Sequence, residues 1–217
     1  MILSRGRGYL FIHIPKTGGT SMALALEARA MKDDVMLGDT PKARKRRHRV
    51  KDMSTAGRLW KHTRLVDLPG LVEEVEMRRL FTFTLVRNPW DRMVSYYHWL
   101  RGQGFHHPAV ALAKASDFGT FVTHPRTVKS FSAADYGSYV TLPSGVEHCS
   151  SFIRLENLAE DIAPLEAHLG YPLLPLPREN QSDRAQDWRT YYTRESRESV
   201  AKFAARDIAR FGYSFEE

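Results

Sequence analysis

Two segments of this chain carry side chains suited to gripping phosphate. The first, Phe11 to Ser21, reads FIHIPKTGGTS. Lys16 supplies a mobile positive charge, Gly18 and Gly19 let backbone amides approach a ligand closely, and Thr17, Thr20 and Ser21 add hydroxyl donors. A helix starting near Thr20 would present unpaired amides and a positive dipole end to an anion. The second segment, Leu85 to Trp99, reads LVRNPWDRMVSYYHW. It sets Arg87 at a strand end and Ser95 about two helical turns further on. If the chain folds back at Asn88-Pro89, both converge on one anion, and a guanidinium suits forked contact with phosphate oxygens. Arg92 could pair with Asp91 or Asp161, or reach the same anion. Read alone, the first segment also fits a plain strand-to-helix turn with an exposed lysine, and the second an arginine capping a sheet edge with a serine in a helix interior.

The elements that must position these residues follow from hydrophobic pattern and punctuation. Tyr9–Ile14 is a short β-rich run ended by Pro15, and Thr20–Ala30 are strong helix formers that Thr20 or Ser21 could cap. Leu80–Val86 reads as a second core strand, with Pro89 where a helix begins. Trp90, Met93, Val94 and Tyr97 recur at helical spacing in Trp90–Leu100, which Gly102 and Gly104 end. A short helix is expected over Glu73–Arg79, others over Ala109–Ala115 and Phe118–Thr123, and a strand over Ser151–Leu155. Asn157 could cap a helix Leu158–Leu169 that stops at Gly170, and Arg194–Phe211 reads as one long amphipathic helix. Strands alternating with helices predict an α/β fold, a mainly parallel sheet flanked by helices with a P-loop-like nucleotide-binding core. The order differs from the Walker A pattern, because Lys16 precedes the glycines.

Composition narrows the classes. The 217 residues are expected to form a single domain over 1–217, with an exposed excursion around 31–54. No apolar run approaches the roughly 20 residues that span a bilayer. The single Cys149 excludes an internal disulfide and a cysteine-based zinc site, and one free thiol fits a reducing compartment, most simply the cytoplasm. The net charge of +7 equals the seven basic residues of PKARKRRHRVK, Pro41–Lys51, which contains no acid. The basicity is therefore one local patch, read as a solvated face or as a guide for an anionic partner.

Together, KTGGTS after one strand and RNPWDRMVSYY after another resemble the sulfotransferases that use 3′-phosphoadenosine-5′-phosphosulfate (PAPS), above all their carbohydrate-type branch. Lys61-His62 falls where that family places a histidine before the second motif. FIRLENL (Phe152–Leu158), LPRENQS (Leu176–Ser182) and the closing DIARFGYSF are similar to later family segments, so the likeness runs from about residue 9 to the C-terminus. The resemblance implies that Lys16, Thr17, Gly18, Gly19, Thr20 and Ser21 hold the 5′-phosphosulfate. It further implies that Arg87 and Ser95 bind the 3′-phosphate, that Asn180 and Ser182 lie in a late loop near the nucleotide, and that no metal is required. With neither membrane anchor nor lumenal disulfides, a soluble bacterial-type enzyme is implied. Pro41–Lys51 matches no family motif, and Ser132–Ser150 departs from the pattern.

The chemistry implied is in-line transfer of a sulfuryl group to a hydroxyl, with 3′-phosphoadenosine 5′-phosphate (PAP) as product. Lys16 is the natural stabiliser of charge on the leaving oxygen and His62 the candidate base. His13 is expected to face the core, His98 to serve helix packing, and His106 and His107 to lie in a loop. Glu156 is the second candidate base, or a partner of Arg154. The acceptor is expected to be a carbohydrate, with an anionic glycan favoured if the basic run guides it. Two rivals remain: a P-loop kinase-like phosphotransferase, which would need a GK[ST] order and a metal-holding aspartate, and a nucleic-acid-binding module using the basic run. No recognition-helix, zinc-knuckle or stacking motif supports specific nucleic-acid binding.

Overall fold

The computed structural model describes residues 1–177 and 184–216. In chain order the elements are β1 (Ile2–Ser4), β2 (Tyr9–Ile12), α1 (Gly19–Ala28), β3 (Val35–Met36), α2 (Pro41–Arg46), α3 (Glu74–Met77), β4 (Phe81–Val86) and α4 (Pro89–Arg101). There follow α5 (Pro108–Ala115), α6 (Phe118–Thr123), α7 (Pro125–Ser132), α8 (Tyr136–Tyr139), β5 (Ser151–Arg154), α9 (Leu158–Asp161), α10 (Ala163–Leu169), α11 (Arg194–Phe203) and α12 (Ala205–Phe211). The chain divides into two compact units, Met1–Val86 with Tyr136–Asn180, and Arg87–Asp135 with Gln181–Glu217, as far as those residues are described.

The first unit holds the sheet, in the order β3-β1-β2-β4-β5. β2, β4 and β5 run parallel, while β1 pairs antiparallel with both β2 and β3. All four residues of β2 are buried, as expected of a central strand covered on both faces. Phe11, Phe83, Leu85 and Ile153 meet Met22 and Leu26 of α1 and Leu165 of α10 in one core. Each fully buried side chain of this kind contributes roughly 1.5–3 kcal/mol. Tyr9 lies opposite Phe81 and Ile12 opposite Thr84, so β2 and β4 finish at the same edge of the sheet. The antiparallel edge was outside the sequence expectation, because strands of two and three residues carry no readable periodicity.

The excursion at 31–54 carries secondary structure of its own. It contributes β3, α2 and a 3₁₀ turn at Arg47–Val50. Three of its basic side chains tie it down: Lys42 Nζ donates to the Glu27 carbonyl of α1 at 2.6 Å, and within the excursion Arg46 donates to the Met31 carbonyl at 2.7 Å and Arg49 to that of Lys32 at 2.6 Å. Arg44, Lys45, Arg47 and Lys51 are exposed.

The second unit packs α4 through Trp90, Met93, Val94, Tyr97 and Leu100 against Val110 of α5, Phe118 and Phe121 of α6, Trp188 and Val200. Two expected helices are each interrupted. Leu158–Leu169 becomes α9 and α10, because Pro164 lacks an amide and its ring crowds the preceding turn. Arg194–Phe211 becomes α11 and α12, broken at Ala204 (φ −104°), where no punctuating residue marks the sequence.

Candidate functional site

The loop that leaves β2 is shaped by two left-handed residues, Lys16 at φ +66° and Gly18 at φ +85°. For a lysine this conformation costs roughly 1–2 kcal/mol, so the surroundings must impose it. Between them Thr17 is fully buried and its hydroxyl donates to the Ile14 carbonyl at 3.0 Å. That hydrogen ties the loop together, so it is engaged within the loop rather than offered to a ligand. α1 starts directly from left-handed Gly18, a residue earlier than expected, and neither Thr20 nor Ser21 caps it. No acidic residue stands in its first turn. The leading amides of α1 therefore lack helical partners and carry the positive end of its dipole, an arrangement that favours a nearby anion.

Gly19 is required by close approach. A Cβ there would sit 2.1 Å from Cδ2 of His13. His13 itself is buried and stacks on Phe11 with ring centroids 5.9 Å apart. Burial first, and then the neighbouring His62, hold its pKa well below the ordinary 6.5, so the ring is neutral. As expected, this histidine is a packing residue, yet it also links the start of α1 to His62. Its carbonyl lies 2.7 Å from Nδ1 of His62, and the two rings meet edge-on at 4.7 Å. A carbonyl only accepts, so Nδ1 of His62 carries the hydrogen, and in the neutral ring Nε2 is the basic nitrogen. The turn bearing His62 is rigid: Trp60 N donates to Thr63 Oγ1 at 2.8 Å, and that hydroxyl donates to the Trp60 carbonyl at 2.7 Å. Lys61 pairs with Asp39 at 2.7 Å, and this hydrogen bond holds the Asp39 carboxyl below the usual carboxylate range.

The second unit shows a different arrangement. Asn88 Oδ1 accepts from the Trp90 amide at 3.1 Å, its Nδ2 donates to the Ser214 carbonyl at 2.9 Å, and Pro89 occupies the first turn of α4. Arg87 Nε donates to Asp91 Oδ2 at 2.7 Å, and Arg184 Nη1 to Asp91 Oδ1 at 2.6 Å. The three side chains are only 13–16% exposed. Two guanidinium groups on one carboxylate leave one net positive charge. Ser95, one turn beyond Asp91 on the same helical face, is buried. Arg92 pairs with neither aspartate proposed for it. Its guanidinium lies over Phe131 at 5.3 Å, because Asp91 is taken by Arg87 and Arg184, and Asp161 by Arg154 through Nε at 2.7 Å and Nη2 at 2.9 Å. Sequence reasoning missed Arg184 and the role of Asp91. The i, i+4 spacing of Arg87 and Asp91 was a readable signal, whereas Arg184 joins from 93 residues away.

The remaining expectations are placed plainly. His98 packs edge-on against Tyr97 and Tyr191. His107 caps α5 through Nδ1, and His106 is exposed. Glu156 is exposed and Asn157 makes no side-chain cap on α9. Asn180 and Ser182 lie outside the described residues. Among the described residues, no group of three His, Cys, Asp or Glu side chains could hold a metal ion, and no helix is long and apolar enough to cross a membrane.

With this geometry in view, comparison with known proteins is informative. A family model described as Sulfotransferase family matches residues 1–214. No curated protein matches the sequence. Among solved structures, mouse sulfotransferase SULT7A1 complexed with PAP aligns at 15% identity and a TM-score of 0.47, over 94% of this chain and 84% of that one.

Proposed function

Because the chain belongs to the sulfotransferase family, and so moves a sulfuryl group from PAPS to a hydroxyl, we propose that its acceptor is a carbohydrate or glycan-like molecule and that His62 is its base. One observation carries the site assignment. The uncapped head of α1, behind left-handed Lys16 and Gly18, is tied through His13 to an imidazole whose Nε2 is the basic nitrogen. The donor supplies the activated S–O bond. Every other task falls to the chain.

In this reading the amides from Gly18 to Ser21 and the hydroxyls of Thr20 and Ser21 hold the 5′-phosphate, with the Thr17 amide beside them. Lys16 offsets the charge that grows on the bridging oxygen as the sulfur–oxygen bond breaks. His62 Nε2 takes the proton of the acceptor hydroxyl as its oxygen bonds to sulfur. Arg87 and Ser95 take the 3′-phosphate, with Asp91 holding the Arg87 guanidinium in a fixed orientation. Asn180 and Ser182 keep their proposed place beside the nucleotide. The family match through residue 214 supports reading both units as one working domain. The single Cys149 supports a reducing compartment, most simply the cytoplasm.

Calorimetric titration with PAP, against ATP as control, tests the nucleotide site. PAP is expected to bind at least about tenfold more tightly, a difference of about 1.4 kcal/mol. Equal affinities would remove the bisphosphate assignment. His62→Ala is expected to lower turnover about 10²–10⁴-fold while sparing PAP affinity; an unchanged rate would dismiss His62 as the base.

A further inference from the structure

The rigid turn that presents His62 also presents an indole. Trp90 and Trp188 are buried in the core of the second unit, and Trp99 packs on Tyr96 and Phe105. Trp60, in contrast, is 43% exposed. Leaving this much aromatic surface in water forfeits burial free energy that a polar residue would not forfeit. Its position is nonetheless fixed. The backbone around it is locked by Thr63, itself fully buried. The indole meets the His62 imidazole edge-on, with centroids 5.0 Å apart and planes at 88°. The guanidinium of exposed Arg58 lies over the indole at 5.4 Å.

These three side chains combine distinct kinds of recognition. An indole face attracts the apolar C–H face of a sugar ring. A guanidinium over that indole is suited to forked contact with a carboxylate or sulfate. The imidazole beside the indole offers a nitrogen that can accept a hydroxyl proton. We propose that Trp60 is the platform on which the acceptor sugar stacks, with Arg58 engaging an anionic substituent of that sugar, so that a ring hydroxyl is directed to His62. Arg58 then sets the preference for an anionic acceptor, while Trp60 serves neutral and anionic sugars alike. The inference rests on the carbohydrate reading above and gives it a named binding surface.

The test uses PAP-saturated protein and two probes, neutral laminarihexaose and an anionic heparin-derived hexasaccharide. Calorimetry is expected to show both bound more weakly in Trp60→Ala by about tenfold, with most affinity restored in Trp60→Phe. Arg58→Ala should weaken only the heparin fragment. The affinity for PAP should stay within about twofold in every variant, which separates loss of a platform from loss of fold. Saccharide binding should also shift tryptophan emission in the wild type and not in Trp60→Phe. Wild-type affinity for both saccharides in Trp60→Ala, or binding of neither saccharide by the wild-type protein, would overturn the proposal. Full turnover in His62→Ala with weakened saccharide binding in Trp60→Ala would instead sink the base assignment and leave the platform standing.

Discussion

The two strand–turn–helix units solve one problem in opposite ways. α4 satisfies its own start: Asn88 caps it, Pro89 removes an orphan amide, and Asp91 places a carboxylate in its first turn. α1 does none of this. Its cap residue is a left-handed glycine, no side chain closes it, and no acid stands in its first turn. A helix start left unsatisfied costs stability, because capping contributes about 1 kcal/mol and a first-turn acid about 0.3–1 kcal/mol more. The contrast fits the proposed site, in which α1 is left open for an external anion while the group proposed to meet the anion in the second unit is Arg87, oriented by an internal carboxylate.

Substitutions that exchange these properties break or sharpen the contrast. The largest effect is expected from Gly19→Ala. Alanine favours a helix by about 1 kcal/mol over glycine. Its Cβ would nonetheless clash with the buried His13 ring, which must move and disturb the edge-on contact that the ring makes with His62. A displacement of this order should lower turnover about 10²-fold. Steady-state kinetics with unchanged kcat would show that the His13 link carries no positional information.

Thr20→Asp gives α1 the acid that α4 already has. The helix should gain a few tenths of a kcal/mol by favourable interaction with its dipole. PAP affinity should fall at least about tenfold through repulsion and a lost charged hydrogen bond, worth about 1.5–3 kcal/mol. Thermal unfolding and calorimetry together read this opposition, and undiminished affinity would place the phosphate elsewhere. The smallest effect is expected from Asn88→Ala, which uncaps α4 and should cost about 1 kcal/mol in urea unfolding. Loss of nucleotide affinity as large as that of Thr20→Asp would mean that both helix starts hold phosphate.

The same contrast separates what was legible in the sequence from what was not. Both strand–turn–helix units were readable, because buried β-rich runs, Pro89 and the Gly18-Gly19 pair are local signals. The placement of Arg87 after β4, the helical stripe of α4 and the turn after α10 at Gly170 all follow from such signals. What escaped depends on tertiary partners. Thr17 reads as a ligand hydroxyl, but folding turns it to the Ile14 carbonyl. Arg92 sits one residue from Asp91 in sequence, yet neighbours along a helix point apart, and Arg87 at i−4 takes the carboxylate. The break at Pro164 has a local signal, since proline lacks the amide a continuing helix needs. The break at Ala204 follows from no local feature.

One consequence of the His13 contact concerns charge as well as distance. In the proposed site the ring works as a spacer between the donor loop and the base, held by Phe11 behind and Gly19 in front. A cationic spacer there would compete with Lys16 for the same oxygens and draw the donor off its line of attack. Sealing an imidazole from water keeps it uncharged through mild acidification, so the gap between loop and base is held by something rigid that the donor does not feel.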